Sequence, residues 1–321
     1  MEHYRFLLEG NPYYNFMEAT VAQGLQALGH IVYGAFGSWQ NYCVPHNGEP
    51  FDVFLQCVDD PQTLVLADIP IVYIWGDDSG QGSTPTNYPN LANVKASAIF
   101  VRDYRGGGSE RVRPMNFGAE DRYFCAHDGN PTLLADRTID VVFLGRWDNC
   151  EGRRDLLKTI QQSLPDHNLL FDSHIFTDRD GYWSQWVSGH CVHSVEYYKA
   201  LADAKIILSP MGAGPDCARH WEAMASGGVP LIQGMPTIQV PPALEAGTDC
   251  LTFNTADEAI EAISLILADD TGMGQVLADA AYRHAIERHS TAARARYIMM
   301  TLNELGVLGE IKRWQPEETS E

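Results

Sequence analysis

The 321-residue chain has no long apolar run, no CxxC pair, no glycine-rich dinucleotide fingerprint and few basic residues. No run approaches the ~18 apolar residues that a helix needs to span a bilayer. The opening "MEHYRFLLEG" lacks the basic start and apolar core of a secretory leader, so a cytoplasmic location is expected. Seven cysteines are scattered, and an odd number without a leader reads as reduced thiols, most of them buried. Against 42 acidic side chains stand only 22 basic ones, a formal charge of −20. Such a chain lacks the electrostatic attraction that supplies most non-specific nucleic-acid affinity, which weighs against a DNA or RNA partner. With 45% hydrophobic and 20% charged residues, the composition is that of a globular protein, neither a fibre nor a disordered chain.

What is present is a rhythm. "YRFLLEG" (4–10) reads as a strand, and "NFMEATVAQGLQALG" (15–29) as a helix with apolar positions at three and four and a glycine stop. "HIVYGAF", "FDVFLQC" (51–57), "IPIVYIW" (69–75) and "ASAIFVRD" (96–103) follow as continuous apolar runs, the mark of strands covered on both faces. After a polar stretch the pattern restarts with "TIDVVFLGRW", a helix over 153–164, and strands at 169–176, 204–210, 229–234 and 250–254. Helices are expected at 195–204, 217–226 and 256–269, and 276–304 reads as largely helical. The prediction is α/β, with two doubly wound Rossmann-like parallel sheets facing across a cleft. The expected divisions are 1–133, 134–300, and a C-terminal helix and acidic tail over 301–321, the helix crossing back to the first domain. Ligands of such sheets sit at the carboxyl ends of the strands. The first strand runs into "EGNPYYN" rather than GxGxxG, which argues against a nicotinamide enzyme. Its Gly10–Asn11 turn is a candidate lining of the cleft.

The richest run is "PMGAGPDCARHWEAMASGGVPLI" (210–232), a strand end, a glycine-rich turn, a short helix, a double-glycine stop and another strand. Backbone N–H groups around Met211, Gly212 and Gly214, with a helix dipole behind them, suit an anion. Arg219, one turn into the helix, adds a fork of donors for the same anion. Glu222, an acceptor-only group, suits a pair of sugar hydroxyls. Together they match a nucleoside diphosphate. Asp216 either caps the helix or meets a sugar hydroxyl. The competing explanation is an internal salt bridge from Arg219 to Glu222 or Asp216. On the other half, "WGDDSGQGS" puts Asp77 and Asp78 after an apolar strand, where a carboxylate could take a proton from an acceptor hydroxyl. Magnesium binding and plain turn residues are the alternatives there. "GHCVH" (189–193) lacks a fourth ligand for zinc, and no metal site is expected. "DYRGGGSERVR" (103–113) reads as a flexible surface loop, with contact to an anionic acceptor as the alternative.

"ARHWEAMASGGVPLI" resembles the donor-site helix of GT-B glycosyltransferases. Its Arg-x-x-Glu spacing, with an aromatic before the Glu, is most similar to the CgeB-like (spore maturation type) glycosyltransferases of the family 1 kind and to exostosin-type domains. "DVVFLGRW", "YYKALADAKIILSP", "IVYIWGDDS" and "VRPMNFGAEDRYF" are similar to further segments of those proteins, in the same order. The resemblance implies a transferase that moves a sugar from a UDP-, GDP- or ADP-type donor to an acceptor hydroxyl on a glycan, small molecule or protein. It implies neither a permanently bound cofactor nor a metal. Glu222 would bind the donor ribose, and Arg219 with Arg146 or Arg153, beside Gly145, would meet the diphosphate. His193, Ser194 and Val195 would lie near the nucleobase.

The chain also departs from the pattern. Where retaining members carry a second glutamate eight positions before the first, this chain has Gly214. Five residues after Arg146 stands Glu151 rather than a lysine. A sugar-nucleotide epimerase, a non-catalytic scaffold, and a DNA-modifying transferase of phage type acting on a hydroxylated base remain as alternatives.

Overall fold

The computed structural model describes residues 3–10, 16–34, 43–57, 69–75, 95–102, 109–124, 126–127, 129–145, 147, 151–172, 195–212, 216–234 and 242–310. Asp77, Asp78, Arg146, His193, Ser194, Gly214, Asn11, the "GHCVH" run and the "QPEETSE" tail lie outside them.

Among the described residues two wholly parallel sheets organise the chain, as the apolar runs predict. The first contains β1 (Arg5–Gly10), β2 (Ile31–Gly34), β3 (Val44–Pro45), β4 (Val53–Cys57), β5 (Ile71–Trp75), β6 (Ala98–Val101) and β7 (Val112–Pro114). Their order is β3-β2-β1-β4-β5-β6-β7. Every residue of β4 and of β6 is buried, which is why they carry no polar alternation. The second sheet runs β12-β11-β10-β8-β9. Its strands are β8 (Ile139–Leu144), β9 (Leu169–Asp172), β10 (Ala204–Ser209), β11 (Val229–Gln233) and β12 (Leu251–Phe253).

Among the described residues the α-helices are α1 (Phe16–Ala27), α2 (Arg153–Ser163), α3 (Val195–Ala202), α4 (Ala218–Ala225), α5 (Ala256–Leu267), α6 (Met273–His289) and α7 (Thr291–Glu304). The stretch expected to be largely helical over 276–304 holds the end of α6 and the whole of α7. Ser290 breaks it by capping α7, its side chain accepting the Ala293 N–H. Two short edge strands were not expected. β7 occupies the end of the segment read as a loop, and pairs Val112 with Ile99.

α7 lies along α1 so closely that a Cβ on Gly24 would sit 2.0 Å from the Thr291 carbonyl oxygen. One apolar core therefore runs from Phe6 and Leu8 in the first sheet, through Leu25 and Ile298, to Trp221 and Ile232 in the second half. A second core fills the far side of the second sheet, around Phe143, Leu208 and Ile263.

Candidate functional site

α4 is wedged between β10 and β11, and its ends explain its sequence. At its C-terminus the double glycine permits a close approach. Gly227 has φ +71, and a Cβ on Gly228 would meet the Ile207 side chain at 2.2 Å. Buried Arg137 closes that end, donating to the carbonyls of Gly227 at 2.6 Å, Ser226 at 3.3 Å and Ala204 at 2.8 Å. At the N-terminus Cys217, not Asp216, occupies the capping position, and its side chain makes no cap bond to the helix. The Ser209 hydroxyl and His220 Nδ1 bond at 2.8 Å, both fully buried, and tie the first turn to β10.

Arg219 and Glu222 do not pair with each other; among the described residues Arg219 forms no ion pair. Its guanidinium lies over the Phe143 ring, 4.7 Å from the centroid. A Cβ on Gly145 would come within 2.3 Å of Arg219 Nη2, so the glycine after β8 leaves the space that this group fills. Arg219 Nε is buried and has no hydrogen-bond partner among the described residues. Glu222 is 4% exposed and accepts a 2.6 Å bond from the Tyr197 hydroxyl on α3. The fold thus brings Gly145, Arg219, Glu222 and the first turn of α3, which opens with Val195, to one region of the second sheet.

Arg153, at the start of α2, is 3% exposed and donates to the Met211 carbonyl. The Met211 N–H goes to Gln233 Oε1 at 2.9 Å, and the Gly212 N–H to Cys217 Sγ at 3.1 Å. These two amides thus have partners within the protein. Burial pushes the Cys217 thiol up to about 11, against the pull of Arg219, which keeps it a neutral sulfur. Asp216 is also buried. Its Oδ2 accepts the Phe117 N–H at 2.8 Å and its Oδ1 accepts Trp221 Nε1–H at 3.0 Å.

Sequence reasoning did not single out Phe143, Tyr197 or Arg102 as individuals. Tyr197 and Phe143 stand within the quoted motif segments, but nothing local says that one meets Glu222 and the other Arg219. Arg102, immediately after β6, carries a signal that was available: it is a cation at the carboxyl end of a buried parallel strand. No cluster of three or more metal-ligating side chains occurs among the described residues. None of their helices is long and apolar enough to cross a membrane.

Residues 153–300 match the family model described as glycosyl transferase-like. Among curated proteins nothing matches the chain. Among solved structures it is similar to a glycosyltransferase from Rickettsia africae, with 11% identity, TM-score 0.62, and 95% of this chain and 99% of that one covered. HepE of Anabaena, solved with UDP, aligns at 14% identity and TM-score 0.61, over 94% of this chain and 100% of that one. An alpha-glucosyltransferase in complex with UDP and a DNA 13-mer aligns at 9% identity and TM-score 0.65, over 94% and 100%. At such identities the likeness is one of fold, and the two parallel sheets match the GT-B architecture.

Proposed function

We propose that the protein transfers a sugar from a nucleoside-diphosphate donor to an acceptor hydroxyl. The second sheet, within about 134–300, holds the donor, and the first, within about 1–133, the acceptor. The observation that carries this is the separation of Arg219 from Glu222. They stand on successive turns of one buried helix, and each is braced by a different aromatic side chain instead of by the other. A guanidinium 4.7 Å from the Phe143 ring centroid, its Nε without a hydrogen-bond partner among the described residues, is prepared for a phosphate oxygen. A carboxylate that accepts from the Tyr197 hydroxyl is an acceptor-only group of the kind that suits ribose hydroxyls.

In the reaction, the acceptor hydroxyl gives its proton to Asp77 or Asp78 and its oxygen bonds the anomeric carbon of the sugar. The bond from that carbon to the diphosphate breaks, and the electron pair leaves with the diphosphate. Arg219 stabilises the charge that builds there, a term commonly among the largest in catalysis. Because HepE and the alpha-glucosyltransferase are recorded with UDP, uridine diphosphate is the first nucleotide to try.

A thermal-shift screen against UDP, GDP and ADP tests the proposal, since a ligand that binds only the folded state raises its melting temperature. One of the three stabilises the wild type; Glu222→Ala abolishes the shift and Arg219→Ala weakens binding about tenfold. Slow release of nucleoside diphosphate from the sugar donor then separates a transferase from an inert scaffold. If no nucleotide moves the wild-type transition, the donor-site assignment is wrong.

A further inference from the structure

In the first sheet β1, β2 and β3 run outward on one side, β4 returns to the other side of β1, and β5, β6 and β7 continue from it. The carboxyl ends of β1 and β4 are therefore its switch point, where an open parallel sheet leaves a crevice for a ligand. Glu9 and Gln56 stand opposite each other there, each the last residue but one of its strand. Gln56 Nε2 donates to Glu9 Oε2 at 3.2 Å, and among the described residues neither side chain forms another hydrogen bond. Strand alternation puts both on the face that carries Leu7, Phe54 and Ile71, while Phe6, Leu8 and Leu55 pack toward α1. The amino end of the same face is closed by a finished ion pair. Arg5 fills the Asp52 carboxylate with its N–H at 2.8 Å, Nε at 3.2 Å and Nη2 at 2.8 Å. At the carboxyl end the carboxylate receives one neutral amide instead. Gln56 is 4% exposed and Glu9 only half-buried, so the amide is the buried support and the carboxylate the accessible member. A partly desolvated carboxylate with so little compensation is costly, and hydroxyl donors from a ligand offset that cost.

Resting on the donor-site proposal above, we infer that Glu9 and Gln56 bind the acceptor, and that the acceptor is a neutral sugar presenting two neighbouring hydroxyls. A carboxylate only accepts, so Glu9 takes a hydrogen bond from one hydroxyl. A carboxamide both donates and accepts, which suits the hydroxyl beside it. The same carboxylate repels a phosphate-bearing acceptor such as a nucleic acid. No bond is made or broken at either side chain; they hold the sugar while its attacking hydroxyl reacts elsewhere on the ring.

Acceptor specificity tests this, because a pair that merely closes the sheet has no reason to sense one hydroxyl. The donor is UDP-glucose, or the sugar nucleotide of whichever diphosphate the screen selects. Transfer is measured to methyl glucoside, methyl galactoside and methyl mannoside, and to their monodeoxy analogues. Removing the attacking hydroxyl abolishes transfer, whereas removing a bound one raises the wild-type KM about tenfold. Glu9→Gln should raise KM for the intact glycoside about tenfold and erase the penalty for one deoxy analogue. Its affinity for the nucleoside diphosphate, read at the other wall, should match wild type. The inference is overturned if Glu9→Gln, or Gln56→Ala where the first variant does not fold, discriminates between intact and deoxy glycosides as wild type does. It is overturned too if the wild type binds a diphosphate yet uses none of these glycosides, or prefers an oligonucleotide with a hydroxymethylated base; the donor site then stands. Absence of nucleotide binding by the wild type overturns both.

Discussion

Asp216 and Arg294 grip one residue from its two sides. Asp216 Oδ2 accepts the Phe117 N–H at 2.8 Å, and Arg294 Nε donates to the Phe117 carbonyl at 2.9 Å. Arg294 is fully buried and also lies 5.2 Å from the Trp221 ring centroid, while the Trp221 indole N–H returns to Asp216. Phe117 belongs to the segment that leaves β7 for the second sheet. The helix that carries Arg219 and Glu222 is therefore fastened to the crossing between the two halves. Asp216 thus has a structural task that its place beside the glycine-rich turn did not announce.

Removing that carboxylate leaves two buried donors without their acceptor and a buried arginine less compensated. We expect Asp216→Ala to cost about 3 kcal/mol or more in unfolding free energy. Asp216→Asn keeps one acceptor oxygen and should cost less. Urea denaturation of the three proteins checks this. A loss under about 1 kcal/mol in the alanine variant means that Phe117 and Trp221 find other partners readily.

His289 predicts a pH dependence. It is fully buried, stacks on His284 at 4.7 Å and accepts a 2.7 Å bond from Arg294 Nη2 through Nδ1. Burial, with the charge of Arg294 and the nearness of His284 and Arg288, holds it far below the ordinary imidazole range. The unfolded chain takes up a proton near pH 6.5 that the folded protein refuses. Stability contributed by this site is complete above pH 6.5 and falls as pH drops below it, by up to about 1.4 kcal/mol per pH unit. Unfolding free energies at pH 7.5, 6.5 and 5.5 should show that decline. His289→Asn, whose amide oxygen can still accept from Arg294, should flatten it. An unchanged slope in the variant assigns the decline to other groups.

The fold was largely legible because strands buried on both faces advertise themselves. β4 and β6 are apolar at nearly every position, and no tertiary knowledge is needed to see them. β3 and β7 were not legible, because two and three residues hold no period and take their conformation from the edge they pair with. The break at Ser290 was written in a capping residue that the long helical pattern hid. In the site, α4 stood out because glycines flank it and charges interrupt an apolar context. The partners of those charges did not. Tyr197 is 25 residues from Glu222, and Arg294 is 177 from Phe117, separations at which no local pattern exists.

The space at Gly145 offers a sharper test of Arg219 than its deletion alone. A Cβ there would lie 2.3 Å from Arg219 Nη2 and 3.4 Å from Phe143 Cζ, on the shelf where the guanidinium rests. Arginine is long and flexible, so Gly145→Ala should displace its head; at φ +158 an alanine also strains the backbone after β8, a cost that the unfolding free energy reads separately from binding. Nucleoside diphosphate affinity should then fall about as far as in Arg219→Ala, roughly tenfold. Because both changes remove the same contact, the double variant should bind no more weakly than either single one, a coupling that a double-mutant cycle reads directly. Losses that multiply instead would mean that Gly145 serves the nucleotide by a route of its own, through its backbone beside the phosphate. Arg219 would then reach its ligand without the Phe143 shelf.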